Sequence, residues 1–235
     1  MLLGRRLFAE FVGTALLLVA VVGSGIAAQR LSRGDIGLQL FENAAATAVA
    51  LVAIILAVGP VSGGHLNPVV TIVDRVFGGV SNAEAAGYGA AQVAGAVTGT
   101  MVANLMYGLP AIEISQHVRS GTDLWLGEVV ATFGLVLVIF GVVRSGRAGL
   151  APFAVGAYIG GAYWFTSSTS FANPAVTIAR SLTDTFTGIA PSSVPDFVAA
   201  QLVGAAAGLA VARVLYPTPA ERTDQVIVPH EEAAT

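Results

Sequence analysis

Six long apolar stretches dominate the chain, at roughly residues 7–28, 36–59, 83–107, 124–143, 150–167 and 196–216. Each holds about the 20 residues that an α-helix needs to cross a bilayer. Two further apolar runs, near 67–73 and 173–179, are too short to cross, and both begin with Asn-Pro. Proline suits the first turn of a helix, where its missing N–H costs nothing. Each short run therefore predicts a half-helix that starts at Asn-Pro, over 67–77 and 173–183. The stretch 217–235 is polar and proline-bearing and reads as a flexible tail.

The pattern repeats. Glu10-Phe-Val-Gly-Thr14 returns as Glu128-Val-Val-Ala-Thr132, and Asn67-Pro-Val-Val-Thr-Ile72 returns as Asn173-Pro-Ala-Val-Thr-Ile178. Ala91-Gln92-Val93 before Gly95 returns as Ala200-Gln201-Leu202-Val203-Gly204. The matches keep their order, each about half a chain further on. Two units follow, 1–112 and 113–216, each with three crossings and one half-helix. Three is odd, so the second unit enters from the opposite face and the halves are inverted about an axis in the membrane plane. The Asn-Pro starts then meet near the midplane. Non-helical backbone at that depth is tolerated only where it is buried or lines a water-filled cavity. A polar path through the bilayer is expected there.

Composition agrees with a lipid solvent. The chain has 235 residues, 55% hydrophobic and 11% charged, and a mean hydropathy of +0.78. Soluble domains are about 25% charged. With no cysteine, disulfides, thiolate metal sites and a cysteine nucleophile are excluded. The formal net charge of −3 leaves no footprint for nucleic acid. No cluster of His, Asp and Glu suggests a metal or an enzyme. All basic residues are arginine, which with the richness in Ala, Gly and Val reads as a GC-rich bacterial genome. Six crossings put both termini on one side. Arg5, Arg6, Arg75, Arg144, Arg147, Arg213 and Arg222 share that side and outnumber Arg30, Arg33, Arg119 and Arg180 on the other. The bias places both termini in the cytoplasm of a bacterial inner membrane. The first stretch follows Arg5 and Arg6 as a signal peptide would, but its counterpart in the second half argues against removal.

The doubled Asn-Pro motif, Ser62-Gly-Gly-His65 before the first copy, and Glu10 with Gly13-Thr14 resemble the aquaporin and aquaglyceroporin family over about residues 5–216. The resemblance implies an all-α membrane fold of six transmembrane helices and two re-entrant half-helices. It also implies a homotetramer with one pore per subunit, passive flow of water or small neutral solutes, and no cofactor. Two departures stand out. The first motif ends in Val69. The second, Asn173-Pro174-Ala175, is followed by Val176, where most of the family has the arginine of the narrow outer filter. Lacking that arginine, the chain is similar to the subgroup found near bacterial arsenic-resistance genes, which points to arsenite, methylated arsenicals or small polyols.

The same resemblance assigns roles. Asn67, Pro68 and Val69 with Asn173, Pro174 and Ala175 form the pore centre. There the amides donate to solute oxygens and the half-helix N-termini disfavour cations. A plain helix-cap role is the alternative for each asparagine. Thr47, Ser170 and Val176 take filter positions, and the fifth-helix position falls on Tyr163 or on Gly161. A wide filter without arginine follows. Carbonyls of Gly63, Gly64, His65, Phe171 and Ala172 line the half-pores. Asp74 and Arg180 face the two vestibules, unless Asp74 pairs with Arg75 and Arg180 with Asp184 or lipid. Glu10 and Glu128 brace the pore loops, with a proton relay as the alternative. The His65 ring either packs in the vestibule wall or gates with pH. Gly95, Gly99, Gly204 and Gly208 mark close helix packing or the tetramer contact. A strict water channel, a secondary transporter and a non-conducting scaffold are the competing readings.

Overall fold

The computed structural model describes residues 2–217; of the expected tail 217–235, residues 218–235 lie outside them. The described residues form eight α-helices. These are α1 (Leu3–Leu31), α2 (Ile36–Ser62), α3 (Pro68–Phe77), α4 (Asn82–Met106), α5 (Thr122–Arg144), α6 (Ala151–Phe165), α7 (Pro174–Ala179) and α8 (Val194–Leu215). Local signals place their ends. The Asp35 side chain caps α2 by accepting from Leu38 N at 2.9 Å. Ser81 and Glu84 close a reciprocal capping box on α4. α2 and α3 stop at Gly63 and Gly78, both in the left-handed region at φ 90° and 92°, where a helix end favours glycine.

α1, α2, α5 and the segment Pro191–Leu215 that contains α8 are long and apolar enough to cross a membrane. The other two expected crossings differ from a plain apolar span. α4 has 25 residues, but Asn, Gln and Glu dilute its hydropathy, and Gln92 and Asn104 are buried inside the protein. α6 has 15 residues, about 22 Å at 1.5 Å per residue. A 3-10 turn at Ala148–Leu150 precedes it, and the chain leaves the helix at Thr166 to enter the second pore loop. The second half-helix is also shorter than expected. Its α-helical part ends at Ala179 and tightens into a 3-10 turn over Arg180–Leu182.

The packing of the second set of four helices repeats that of the first. α1 lies against α2 and α4, and α5 lies against α6 and α8, while α2 and α6 join the two sets. The half-helices α3 and α7 insert between them, both touching α4 and α8, and meet at their tips. Large apolar side chains such as Phe8, Phe41, Val49, Trp164 and Val203 are exposed on the outside, while Glu10, Gln92, Glu128 and Gln201 are fully buried. That inversion of polarity suits a protein whose outer solvent is lipid and whose inside holds a polar path.

The glycine pairs serve contacts inside the chain. A side chain on Gly95 would collide with the Phe11 carbonyl, and one on Gly99 with the Ala15 carbonyl, both across the α1–α4 crossing. Gly204 and Gly208 sit likewise beneath the Val129 and Phe133 carbonyls of α5. Backbones this close leave no room for a Cβ. Gly95→Leu is expected to cost at least the 1–3 kcal/mol (roughly) of an overpacked core, read as a lost monodisperse peak and lowered thermal stability in detergent. Gly89→Ala on the same helix, with open space around it, should match the parent protein; equal stability of both variants would refute the close-approach argument.

Candidate functional site

The two pore loops are built alike, each around a buried carboxylate. Glu10 on α1 accepts from Ser62 Oγ at 2.6 Å, His65 N at 2.9 Å, Leu66 N at 2.7 Å and Gln92 Nε2 at 2.7 Å. Glu128 on α5 accepts from Phe171 N at 2.8 Å, Ala172 N at 2.9 Å and Gln201 Nε2 at 2.6 Å. Each glutamine also donates to the threonine of the adjoining half-helix, Thr71 at 3.0 Å and Thr177 at 2.8 Å. Those threonines donate in turn to the carbonyls of Asn67 and Asn173. This support is needed because the loops bend sharply. Leu66, Ser170 and Ala172 lie at φ 52°, 52° and 49°, a left-handed conformation that costs a residue with a Cβ about 1 kcal/mol or more. The bonds to Glu10 and Glu128 fall on the backbone N–H groups of Leu66 and Ala172 themselves.

At the tips the two asparagines cross. Asn67 Nδ2 donates to the Ala172 carbonyl and Asn173 Nδ2 to the Leu66 carbonyl, each at 2.8 Å. Their side-chain oxygens face their own half-helices, accepting from Val69 N at 3.0 Å for Asn67 and from Ala175 N and Val176 N at 3.0 and 3.3 Å for Asn173. Each asparagine is thus a helix cap and also a strut between the halves. One amide N–H of each remains after these bonds, at a point where two helix N-termini converge.

A cavity of about 60 Å³ runs past this junction, room for several water molecules, each of which needs about 10–15 Å³. Leu17, Val21, Leu51, Ile55, Leu135 and Ile139 give one apolar side. Gly64, His65, Asn67, Ser170, Phe171, Ala172 and Asn173 of the two loops line it as well, and Val176 does so from α7. Gly63 is buried but does not line it. Thr47 and Tyr163 line it too, with Tyr163 Oη 3.4 Å from Thr47 Oγ1. Gly161 does not reach it. That residue is exposed on the outside of α6, because two positions along a helix are about 200° apart around it. The structure therefore corrects the Gly161 alternative and leaves Tyr163 on the cavity wall. Ser170 Oγ is buried with no hydrogen-bond partner among the described residues.

The cavity ends differ. At the end that holds the start of α1, Arg6 pairs with Glu84 at 2.5 Å and donates to Tyr88 Oη at 2.7 Å. Tyr88 donates onward to the Ser62 carbonyl at 2.8 Å. His65 packs on Tyr88 with ring centres 5.2 Å apart and meets Thr71 Oγ1 at 3.0 Å through Nδ1. Asp74 is buried and does not line the cavity; its carboxylate stands 3.5 Å from His65 Nε2, while Arg75 turns to Asn82. At the other end Arg180 is buried, lines the cavity and donates to the Thr187 carbonyl. Asp184 is engaged elsewhere, accepting from Gln116 N at 2.9 Å.

Sequence reading missed the bracing roles of Gln92, Gln201, Thr71 and Thr177, although all four stand in the repeated segments. Tyr88 carried no signal of that kind.

Comparison with known proteins gives the family. The major intrinsic protein family matches residues 2–167. The aquaglyceroporin AqpS of Rhizobium meliloti (strain 1021) is 50% identical over 213 residues, which cover 91% of each chain. A probable aquaporin, AqpM of Archaeoglobus fulgidus, is 31% identical over 88% of this chain and 95% of its own. Among solved structures, the aquaglyceroporin of Plasmodium falciparum superposes with a TM-score of 0.70 at 24% identity, covering 92% of this chain and 98% of its own. With half its residues shared along nearly its whole length with one such relative, the chain belongs to the major intrinsic protein family.

Proposed function

We propose that this protein is a passive membrane channel for water and small neutral solutes, glycerol-like polyols and arsenite among them. The observation that carries the reading is the junction of Asn67 and Asn173. Two amides with a spare N–H each meet at two half-helix N-termini inside one cavity. Such a site offers donors to a solute oxygen and opposes a cation. The repeats 1–112 and 113–216 form the two halves of the pore. Thr47, Tyr163, Ser170 and Val176 form the outer filter, where the unsatisfied Ser170 hydroxyl is available to a solute. The chain works as a homotetramer in a bacterial plasma membrane with both termini in the cytoplasm, the side favoured by its arginines. Glu10 and Glu128 act as braces, since their carboxylates accept from Ser62 at the end of α2, from the backbone of the two loops and from the two glutamines that support them.

One contact favours a narrower reading. The approach of Tyr163 Oη to Thr47 Oγ1 at 3.4 Å closes part of the filter and suits a strict water channel. Stopped-flow light scattering of proteoliposomes against water, glycerol, urea and arsenite separates the two. Flux of glycerol or arsenite, linear in concentration, is the expected result. Water flux alone would establish the narrower reading, and saturable, gradient-driven uptake would replace both with a transporter.

A further inference from the structure

Arg180 is a buried cation without an anionic partner. It is 2% exposed, and among the described residues no carboxylate lies within ion-pair distance of it. Its Nε donates to the Thr187 carbonyl, and its guanidinium centre stands 3.4 Å from the centroid of the Phe171 ring. The Phe171 ring is held edge-on against Phe197, their centroids 5.2 Å apart. The terminal guanidinium nitrogens make no hydrogen bond to protein among the described residues, and the residue lines the same cavity as Tyr163, Ser170 and Val176. A second guanidinium, of Arg119, stands 5.3 Å from the same ring and donates to the Gly188 carbonyl at 2.8 Å. A buried, unpaired cation is expensive, and within a membrane it marks a solute path.

The surrounding chain holds Arg180 in place. Thr187 belongs to the segment that follows α7, and that segment is stitched to the loop after α4. Ser115 N donates to the Ser181 carbonyl at 3.0 Å and Ala190 N to the His117 carbonyl at 2.7 Å. Position 180 follows 176 by one helical turn, on nearly the same face and about 6 Å further along.

We propose that Arg180 is the selectivity arginine of this pore, its guanidinium forming a cationic constriction one turn outward of Val176. The proposal rests on the channel reading above and deepens it. The free N–H fork takes neutral polyhydroxylated solutes, whose adjacent oxygens match two parallel donors. Its fixed charge turns back cations. Val176 then leaves the deeper filter wide without leaving the pore open to ions.

The test uses the purified full chain in proteoliposomes, with proton and potassium leak measured beside the glycerol-to-urea flux ratio. Arg180→Gln should raise cation leak roughly 10- to 100-fold, the effect of removing a unit charge several ångströms from the path. Arg180→Lys keeps the charge but loses the fork, so leak should stay low while the glycerol-to-urea ratio falls. The double change Val176→Arg with Arg180→Val moves the guanidinium back one turn and should restore ion tightness. A folded Arg180→Gln channel with parental leak would overturn the proposal. Should Arg180→Gln not fold, an unchanged solute ratio in Arg180→Lys overturns it instead. A parent protein that conducts no solute brings down the channel reading, which is a separate result from a conducting parent whose Arg180 variants behave alike.

Discussion

Replacing Glu128 by leucine is expected to abolish the folded channel rather than merely to block it. The change strands the N–H groups of Phe171 and Ala172 and the amide of Gln201, all bonded to Glu128 and all in fully or nearly fully buried residues. Each buried donor left without an acceptor costs about 1–3 kcal/mol, so the sum is comparable with the roughly 5–15 kcal/mol that holds a typical protein folded. The left-handed backbone at Ala172 would also lose the bond that holds it in place. Glu10→Leu strands His65 N, Leu66 N and the Gln92 amide around the matching loop, leaves Ser62 Oγ only its long bond to the Val58 carbonyl, and should fail likewise. Glu128→Gln retains one acceptor oxygen and should give an intermediate loss. Thermal unfolding in detergent, read beside solute flux, checks the series. A Glu128→Leu protein of parental stability that conducts nothing would instead support a proton-relay role.

The parts of this design that are local in sequence could be read there. Asn-Pro followed by a short apolar run announces a half-helix, because proline tolerates the first turn and the run is too short to span. The repeat made both halves visible together, including Glu10 and Glu128. What could not be read is the closure of the loops on each other. Asn67 bonds to Ala172 and Asn173 to Leu66, residues more than a hundred positions away, and nothing in either segment names its partner. Gln92 and Gln201 appeared as repeat markers only, since a glutamine on a mostly apolar helix has no acceptor until the fold brings a carboxylate beside it. The choice between Gly161 and Tyr163 depended on the rotation of α6, which a loop of uncertain length left open and helix phase decides. Arg180 was legible as sharing the face of Val176. Its seat on Phe171 was not, because that ring is positioned by Phe197 from α8.

Val176→Arg is expected to reduce glycerol flux at least about tenfold, a barrier rise that a second fixed charge and a narrowed filter readily supply. Water flux should fall less. Val176 is 5% exposed and lines the cavity beside Ser170 and Tyr163. An arginine there fills cavity space that valine leaves free. It would also set a second guanidinium about 6 Å from Arg180 along the same face. Two like charges at that spacing repel by about 3 kcal/mol at an effective dielectric near 20. The single variant should therefore lose stability as well as glycerol flux, and removing Arg180 in the same chain should recover the stability while glycerol stays excluded. Such non-additivity is the mark of two charges close enough to couple. Strictly additive effects would place the two guanidinium groups beyond each other's reach, and parental glycerol flux in Val176→Arg would remove position 176 from the filter.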